Sequence, residues 1–293
     1  MKKITLFCVV SLLLISSCKN NDEPKGSTNP QIKHKLSLSN QETFYGTNVN
    51  TMQDPVSFRS DSLNRISEIS YYVFKHTISY PNPNLITCHS DASNANAYID
   101  ETTNIYLENN AVNKICKKQI NKYPDHTKFM ESDSILFTYN SGNNLIRIDF
   151  FEKLSESYPY ELKKVYEYTY ENGNITKLTR TEYGVTTILN YSYDNKPNID
   201  YGEYAPEMPF NFDYYYPLIY NKLGKRNTNN IIKTTYTYPV APTATWSFDY
   251  TNYERILDSN GLITAIKISG QLISSDLKKT TTYNDGKVSF TYQ

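Results

Sequence analysis

Glycine, histidine and tryptophan are scarce in this chain of 293 residues, which holds 10 glycines, 4 histidines and one tryptophan. So few glycines leave little material for phosphate-cradling loops, and neither a P-loop nor a Gly-x-Ser-x-Gly nucleophile elbow occurs. The histidines form no His-x-His or His-Glu-x-x-His spacing; they are His34, His76, His89 and His126. The sequence therefore predicts no metal site, no cofactor and no catalytic residues.

An excess of charge of either sign is also absent, since 30 Lys and Arg balance 30 Asp and Glu. A chain without a basic surplus has no electrostatic footprint for nucleic acid, so no nucleic-acid partner is predicted. Carboxylate pairs such as Glu203 and Glu207 occur, but their spacing in a loop does not set the separation that glycoside hydrolysis needs. We predict that the protein is not an enzyme and keep a glycan-active hydrolase as a less favoured alternative.

The first residues have the order of a bacterial export signal. Lys2 and Lys3 precede a largely apolar run, Ile4 to Ile15, which is short for a membrane span and typical of a secretory signal. The next residues, Ile15-Ser16-Ser17-Cys18, resemble the lipobox of bacterial lipoproteins. That resemblance implies cleavage before Cys18, triple acylation of its thiol and amine, and a membrane partner through this lipid. An ordinary cleaved signal with a chance cysteine is the alternative.

Three segments follow from this interpretation. Residues 1–17 are the signal peptide, residues 18–35 a flexible polar tether, and residues 36–293 a single β domain with an insert at 196–225. The start of the tether, Lys19-Asn20-Asn21-Asp22-Glu23, looks like the acidic export tag of Bacteroidetes surface lipoproteins. We therefore expect an outer-membrane lipoprotein of the cell envelope, exposed on the cell surface if the tag acts.

Strand patterns dominate the domain, with β-branched and aromatic residues alternating between turns rich in Asn, Asp and Gly. Six of the turns each join an aromatic strand to a second strand. In five of these units, two aliphatic residues three positions apart lie at the turn and the start of the second strand. A flat strand would put such a pair on opposite faces, so we predict a β-bulge beside each turn. The pairs are Leu63/Ile66, Val112/Ile115, Leu145/Ile148, Ile175/Leu178 and Ile263/Ile266.

The hairpins "YTYENGNITKL" at Tyr168 and "YNDGKV" at Tyr283 resemble the YD repeats of RHS proteins, without the stricter Tyr-Asp-x-x-Gly-Arg signature. Together with "YSYDNKPN" at Tyr191, they are similar to a group of Bacteroidetes envelope lipoproteins of unknown function. The resemblance implies no catalysis. The fold prediction is all-β: an antiparallel meander of repeated hairpins in a curved or partly wrapped sheet, with one short helix in the insert.

The tyrosine row Tyr166, Tyr168 and Tyr170 shares one face of a predicted strand, opposite polar neighbours. With an Asn172-Gly173 turn, Tyr170 would face Ile175, Tyr168 would face Lys177 and Tyr166 would face Thr179. We favour a ladder of rings in the core over a ligand-binding surface.

The insert holds four prolines and eight aromatic residues between 196 and 220, with no strand period. A plug over one end of the sheet and a glycan-binding surface are both open, and the plug is favoured because exposed aromatic patches are uncommon. A short helix would start at Pro217 and stop at Gly224. The candidate ligand-binding residues are Tyr204, Phe210, Phe212, Asp213, Tyr214, Tyr215 and Tyr216.

Two cysteines remain in the predicted domain, Cys88 and Cys116. A disulfide and two separate thiols both stay open, although one strand between them would place them too far apart to pair. The function predicted overall is a non-catalytic binding or structural module on the membrane, whose partner is a polysaccharide or another envelope protein.

Overall fold

The structure is a computed structural model. It describes residues 36–41, 54–71, 74–94, 97–122, 128–153, 155, 157–198, 216–239, 246–274 and 279–292. These residues belong to one compact unit, His34–Gln293. None of the helices in these ranges is long and apolar enough to cross a membrane.

Sixteen β-strands make up nearly all of the described chain. They are β1 (Leu36–Gln41), β2 (Asp54–Ser60), β3 (Ile66–Tyr71), β4 (Phe74–Asn82), β5 (Leu85–Asn94), β6 (Ala97–Glu108), β7 (Ala111–Lys122), β8 (Lys128–Tyr139), β9 (Leu145–Lys153), β10 (Glu161–Glu171), β11 (Asn174–Glu182), β12 (Val185–Pro197), β13 (Asn229–Thr237), β14 (Trp246–Leu257), β15 (Ile263–Ser274) and β16 (Thr280–Tyr292).

Each strand pairs antiparallel with the next along the chain, which confirms the predicted all-β meander. The first strand, β1, pairs with both β2 and β16, so the strand order returns to its start and the sheet closes on itself. The short turns after β2, β4, β6, β8, β10 and β14 all lie at one end of this sheet. We call it the turn end, and the insert after β12 returns to the sheet there as well.

Two kinds of turn recur at the turn end. In the longer kind an Asp or Asn accepts backbone hydrogen bonds from the residues two and four positions later, and the residue three positions later has positive φ. The accepting residues are Asp61, Asn140 and Asp258. The shorter kind has two central residues with positive φ, as at Asn172 (φ 50°) and Gly173 (φ 78°), which matches the twist of a hairpin.

A break in register beside these turns confirms the predicted bulges. The pairing shifts at Tyr106/Leu107, Thr138/Tyr139, Thr169/Tyr170 and Ile256/Leu257. Because each bulge adds a residue to one strand, aliphatic residues three apart turn to the same inner face, and four of the five predicted pairs are buried. The exception is Leu63, which lies in the longer loop after β2 and is 69% exposed.

The same bulge corrects part of the predicted tyrosine ladder. Tyr170 faces Ile175 as predicted, but the pairings of Tyr168 with Lys177 and of Tyr166 with Thr179 are wrong. Tyr168 faces Leu178 and Tyr166 faces Arg180, because Thr176 is the extra residue of the bulge. The rings still point inward, as predicted, since Tyr166 and Tyr168 are buried and Glu167 and Thr169 are exposed.

The core fills the inside of the sheet near the turn end. Its largest fully buried side chains are aliphatic and come from many strands, while tyrosine rings pack around them. They include Ile69, Ile105, Ile115, Leu145, Ile148, Ile175, Leu178, Leu189 and Ile231. The closed sheet thus buries the inner face of its described strands against itself.

Cys88 and Cys116 are both free thiols. They lie on β5 and β7, with β6 between them, and Cys88 is buried inside the sheet while Cys116 belongs to the alternate, outward set of β7. This geometry settles the open question against a disulfide.

Candidate ligand-binding crevice

Most of the predicted site residues lie outside the part of the chain that the structure describes. Cys18 is one of them, and so are Tyr204, Phe210, Phe212, Asp213, Tyr214 and Tyr215. Tyr216 begins the helix α1, Tyr216–Ile219, but its side chain is outside the description too. The predicted aromatic site is therefore not tested.

The last ten residues of the insert and the three that follow it, residues 216–228, are described and pack over the turn end. Leu218, Ile219 and Leu223 are buried in the same core as the strand residues. We call residues 216–228 the plug. Its helix starts beside Pro217 and continues as a 3₁₀ turn, Tyr220–Lys222, until Gly224 at φ +81° ends it, close to the predicted start and stop.

The plug is fastened to the hairpin between β10 and β11. The Thr228 amide donates to the Gly173 carbonyl at 3.1 Å, and the Ile175 amide donates to the Asn227 side-chain oxygen at 2.8 Å. Asn227 is buried, so this hydrogen bond satisfies a polar group inside the structure. The turn that sets the register of the hairpin thus also holds the plug.

A second attachment joins the plug to the turn between β8 and β9. The Lys225 amide donates to the Asn143 carbonyl at 2.9 Å, and Gly224 approaches so closely that an added Cβ would lie 2.6 Å from the same carbonyl oxygen. Tyr139 supports this contact from inside, where its hydroxyl donates to the Val112 carbonyl at 2.8 Å. Only glycine fits both the positive φ and the space at 224.

A crevice of about 550 Å³ opens between the plug and the turn end of β3 to β6. This volume falls in the range of small-molecule sites. Its walls are mainly aliphatic, with one aromatic ring, one amide and two cationic side chains. They are Arg65, Ile66, Tyr80, Asn82, Pro83, Ile86, Leu107, Leu218 and Lys222. No acidic side chain of the described residues is among them.

The first cation, Arg65, is held in place. Its Nε donates to an oxygen of Asp61 at 2.8 Å, its Nη2 lies 2.7 Å from that oxygen, and its guanidinium stacks 4.1 Å above the Tyr80 ring. The backbone amide of Arg65 donates to the Asp61 carboxylate and, with the guanidinium, keeps the pKa of this carboxyl below its usual value. Arg65 is therefore a fixed, already paired charge.

The second cation, Lys222, is different because its hydrogen-bond partner is neutral. Its Nζ donates to the Asn110 side-chain oxygen at 2.7 Å. Among the described residues no ion pair includes Lys222. The ammonium lies beside the apolar lining of the crevice, and its hydrogen-bond partner in the described part of the chain is an amide and not a carboxylate.

Tyr80 forms the aromatic wall of the crevice. Its hydroxyl donates to the Ile66 carbonyl at 2.9 Å, which fixes the ring across the start of β3. Burial raises the pKa of Tyr80 to about 12, so the phenol stays protonated. The ring provides a rigid surface that needs no rearrangement on binding.

A separate polar cluster lies inside the sheet, further from the turn end. Glu101 and Lys117 form an ion pair at 2.9 Å with both side chains mostly buried. His76 faces Ser90, and Ser90 faces Glu101, on the neighbouring strands β4, β5 and β6. The alternation of β6 places Glu101, Thr103 and Ile105 on one face, so the sequence pattern could have shown that this carboxylate points inward.

This inner cluster is not set up for nucleophilic chemistry. Burial, with a smaller effect of the Lys117 charge, lowers the pKa of His76 to about 4 and leaves the imidazole neutral. Burial, with a smaller effect of Glu101, raises the pKa of Cys88 to about 12, so its thiol stays protonated. Within the described ranges no three His, Cys, Asp or Glu side chains could hold a metal ion together.

Comparison with known proteins gives a fold and no family. No protein-family description matches the chain, and no curated protein matches it either. A porin-like protein from Bacteroides vulgatus aligns over 88% of this chain and 98% of its own, with a TM-score of 0.58 and 12% identity. A porin-like protein from Bacteroides uniformis covers the same shares at 13% identity and a TM-score of 0.49. The chain is thus similar in fold to a Bacteroides porin-like protein.

Proposed function

We propose that this chain is a lipid-anchored protein of the bacterial envelope and that its β domain is a non-catalytic binding module. The observation that carries the proposal is the crevice, a hollow of ligand size with mainly apolar walls and, in Lys222, a cation whose hydrogen-bond partner is a neutral amide. In the inner cluster, burial keeps the Cys88 thiol protonated, so this group does not offer a thiolate nucleophile.

The outward face of the described strands indicates where this domain works. Strand β10 alternates buried Tyr166 and Tyr168 with exposed Glu167 and Thr169, and strand β12 alternates in the same way. Strands that face hydrocarbon carry apolar side chains outward. The outward faces of β10 and β12 therefore suit water, and the proposed lipid on Cys18 would supply the membrane attachment.

The anchor is tested by cell fractionation. Cells expressing the intact chain or the Cys18→Ser variant are labelled with radioactive palmitate and extracted with Triton X-114. The intact chain is expected to carry label and enter the detergent phase, whereas Cys18→Ser should carry none and remain in the aqueous phase. A Cys18→Ser chain that still partitions with detergent would overturn the anchor. Cys116→Ser is the matched control, which should behave as the intact chain.

A second candidate is glycan binding by the first part of the insert, where aromatic residues and prolines are concentrated. Rings held by prolines suit stacking on sugar faces, with Asp213 as a hydrogen-bond acceptor. A Cys18→Ser protein run in polysaccharide-containing native gels should then be retarded, and Tyr215→Ala should abolish the retardation. Equal mobility in gels with and without polysaccharide speaks against this candidate and leaves the crevice unaffected.

A further inference from the structure

We propose that the crevice binds a single-chain amphiphile with an anionic head group, its apolar tail lying between the plug and the sheet and its head at Lys222. This inference deepens the proposed function, because it assigns a ligand class to the same crevice. The chemistry is shared by a carboxylate, a sulfate or a phosphate monoester on a hydrocarbon chain.

The apolar residues that line the crevice indicate where the hydrocarbon tail of the ligand binds. Ile86 and Leu107 are buried strand residues of the core, and Leu218 is a buried residue of the plug. The crevice therefore leads from the surface toward the aliphatic interior of the turn end. Each methylene that leaves water for such a surface contributes about 0.8 kcal/mol, so a hydrocarbon tail gains more here than a polar ligand does.

The two cationic side chains of the crevice indicate where the anionic head group of the ligand binds. Arg65 is already paired with Asp61 and stacked on Tyr80, whereas Lys222 donates to a neutral amide. An anionic oxygen beside Lys222 would give its ammonium a partner of opposite charge in addition to the neutral Asn110 amide. A cationic ligand would be repelled by two positive side chains. A sugar would find few neutral hydrogen-bonding groups, because Asn82 is the one amide side chain among the described lining residues.

The position of the crevice suggests how such a ligand reaches it. Strand β1 begins at the turn end, since Leu36 pairs with Tyr292 and the following Leu38 pairs with Ser57, near the turn that carries Arg65. The chain that precedes Leu36, with Cys18 on it, thus joins the domain at the end where the crevice opens. A lipid on Cys18, as proposed above, would keep the domain beside a membrane and its amphiphiles.

The first test uses 1-anilinonaphthalene-8-sulfonate, an aromatic body with one sulfonate, as a fluorescent probe. The probe is titrated into the folded Cys18→Ser protein, and sodium dodecanoate is then added as competitor. We expect one saturable site that dodecanoate empties and that decyltrimethylammonium, a cationic amphiphile, leaves occupied. Raising the salt concentration should weaken binding of the sulfonate because part of the affinity is electrostatic.

Charge reversal locates the head group. Lys222→Glu should weaken binding of the probe and of dodecanoate by about tenfold or more, equivalent to about 1.4 kcal/mol. Lys225→Glu is the matched control, since it makes the same change three residues away on the plug and outside the crevice. Unchanged thermal melting and circular dichroism will show that the Lys222 variant is folded, and the milder Lys222→Gln should lie between the two. Equal affinities of Lys222→Glu and Lys225→Glu would overturn the proposal.

Two experiments distinguish a ligand taken from solution from a ligand taken from a membrane. In one, dodecanoate is supplied free in solution; in the other, the protein is incubated with phosphatidylglycerol vesicles containing a pyrene-labelled single-chain phospholipid and then separated from them. Label carried away by the wild type but not by Lys222→Glu indicates supply from the membrane. Binding of free dodecanoate without transfer of label indicates supply from solution. Binding of neither amphiphile refutes the proposal, whatever the outcome of the Cys18 fractionation.

Discussion

Replacing Gly173 with alanine would place a methyl group at the contact between the β10–β11 turn and the plug. Gly173 has a φ of +78°, and an added Cβ would lie 2.3 Å from the Thr228 hydroxyl oxygen. Two costs therefore coincide at this position. The first is the left-handed backbone, which an L-residue adopts at a cost of about 1 kcal/mol. The second is the displacement of Thr228, which overpacking data put at about 1–3 kcal/mol.

Gly184 separates these two costs. Its φ is +82°, but an added Cβ there meets nothing within 4 Å. Gly184→Ala should thus lower the free energy of unfolding by about 1 kcal/mol, and Gly173→Ala by about 2–4 kcal/mol. Urea denaturation of the Cys18→Ser protein, followed by circular dichroism, measures both changes.

A double-mutant cycle tests the source of the excess. Thr228→Ala removes the clashing hydroxyl and leaves Cβ at 3.5 Å, an ordinary contact. In that background Gly173→Ala should cost no more than Gly184→Ala, which would give a coupling free energy of about 1–3 kcal/mol. Equal costs of the two alanine variants in the wild-type background would contradict the described docking of the plug on this turn.

Three further predictions concern the core and its buried polar groups. The imidazole of His76 has a pKa near 4 in the folded protein and 6.5 in the unfolded chain. It therefore contributes about 3 kcal/mol to the free energy of unfolding above pH 6.5, and this contribution is lost as the pH falls to 4. In His76→Gln the urea midpoint should change less with pH over this range than in the wild type. In a protein with both Cys8 and Cys18 replaced by serine, Ellman's reagent should titrate Cys116 in the folded state and Cys88 only after unfolding, and two fast thiols would contradict the burial of Cys88. Ile219→Ala should lower stability by about 2–4 kcal/mol, against less than about 0.5 kcal/mol for exposed Leu63→Ala, and similar losses would show that the plug is not part of the core.

The hairpins were predictable because their signals are local. An Asp or Asn at the start of the turn, a residue with positive φ and two aliphatic residues three apart all lie within one short stretch of sequence. Asp61, Asn140 and Asp258 satisfy the same backbone donors in three different turns. The wrong pairing of Tyr168 has a local cause as well, since a bulge beside the turn moves every later pair by one residue.

The plug contacts and the crevice were not predictable from such patterns. Asn227 and Thr228 bind a hairpin 52 to 55 residues earlier in the chain, and Lys222 reaches Asn110 across 112 residues. Nothing in the spacing of these polar residues marks their partners, because the closed sheet alone brings them together. The inner ion pair of Glu101 and Lys117 is an intermediate case, visible as inward alternation but not as a pair.

The joining of β1 to β16 sets an order on folding. Every other pair of neighbouring strands is close in sequence or separated only by the insert, so hairpins can form one after another as the chain emerges. The β1–β16 seam needs the two ends of the sheet to meet and therefore closes last. Until then β1 presents an unpaired edge, which is a template for aggregation. A chain shortened before Thr280 would keep that edge open permanently, so loss of β16 should reduce yield and solubility before it affects the hairpins themselves.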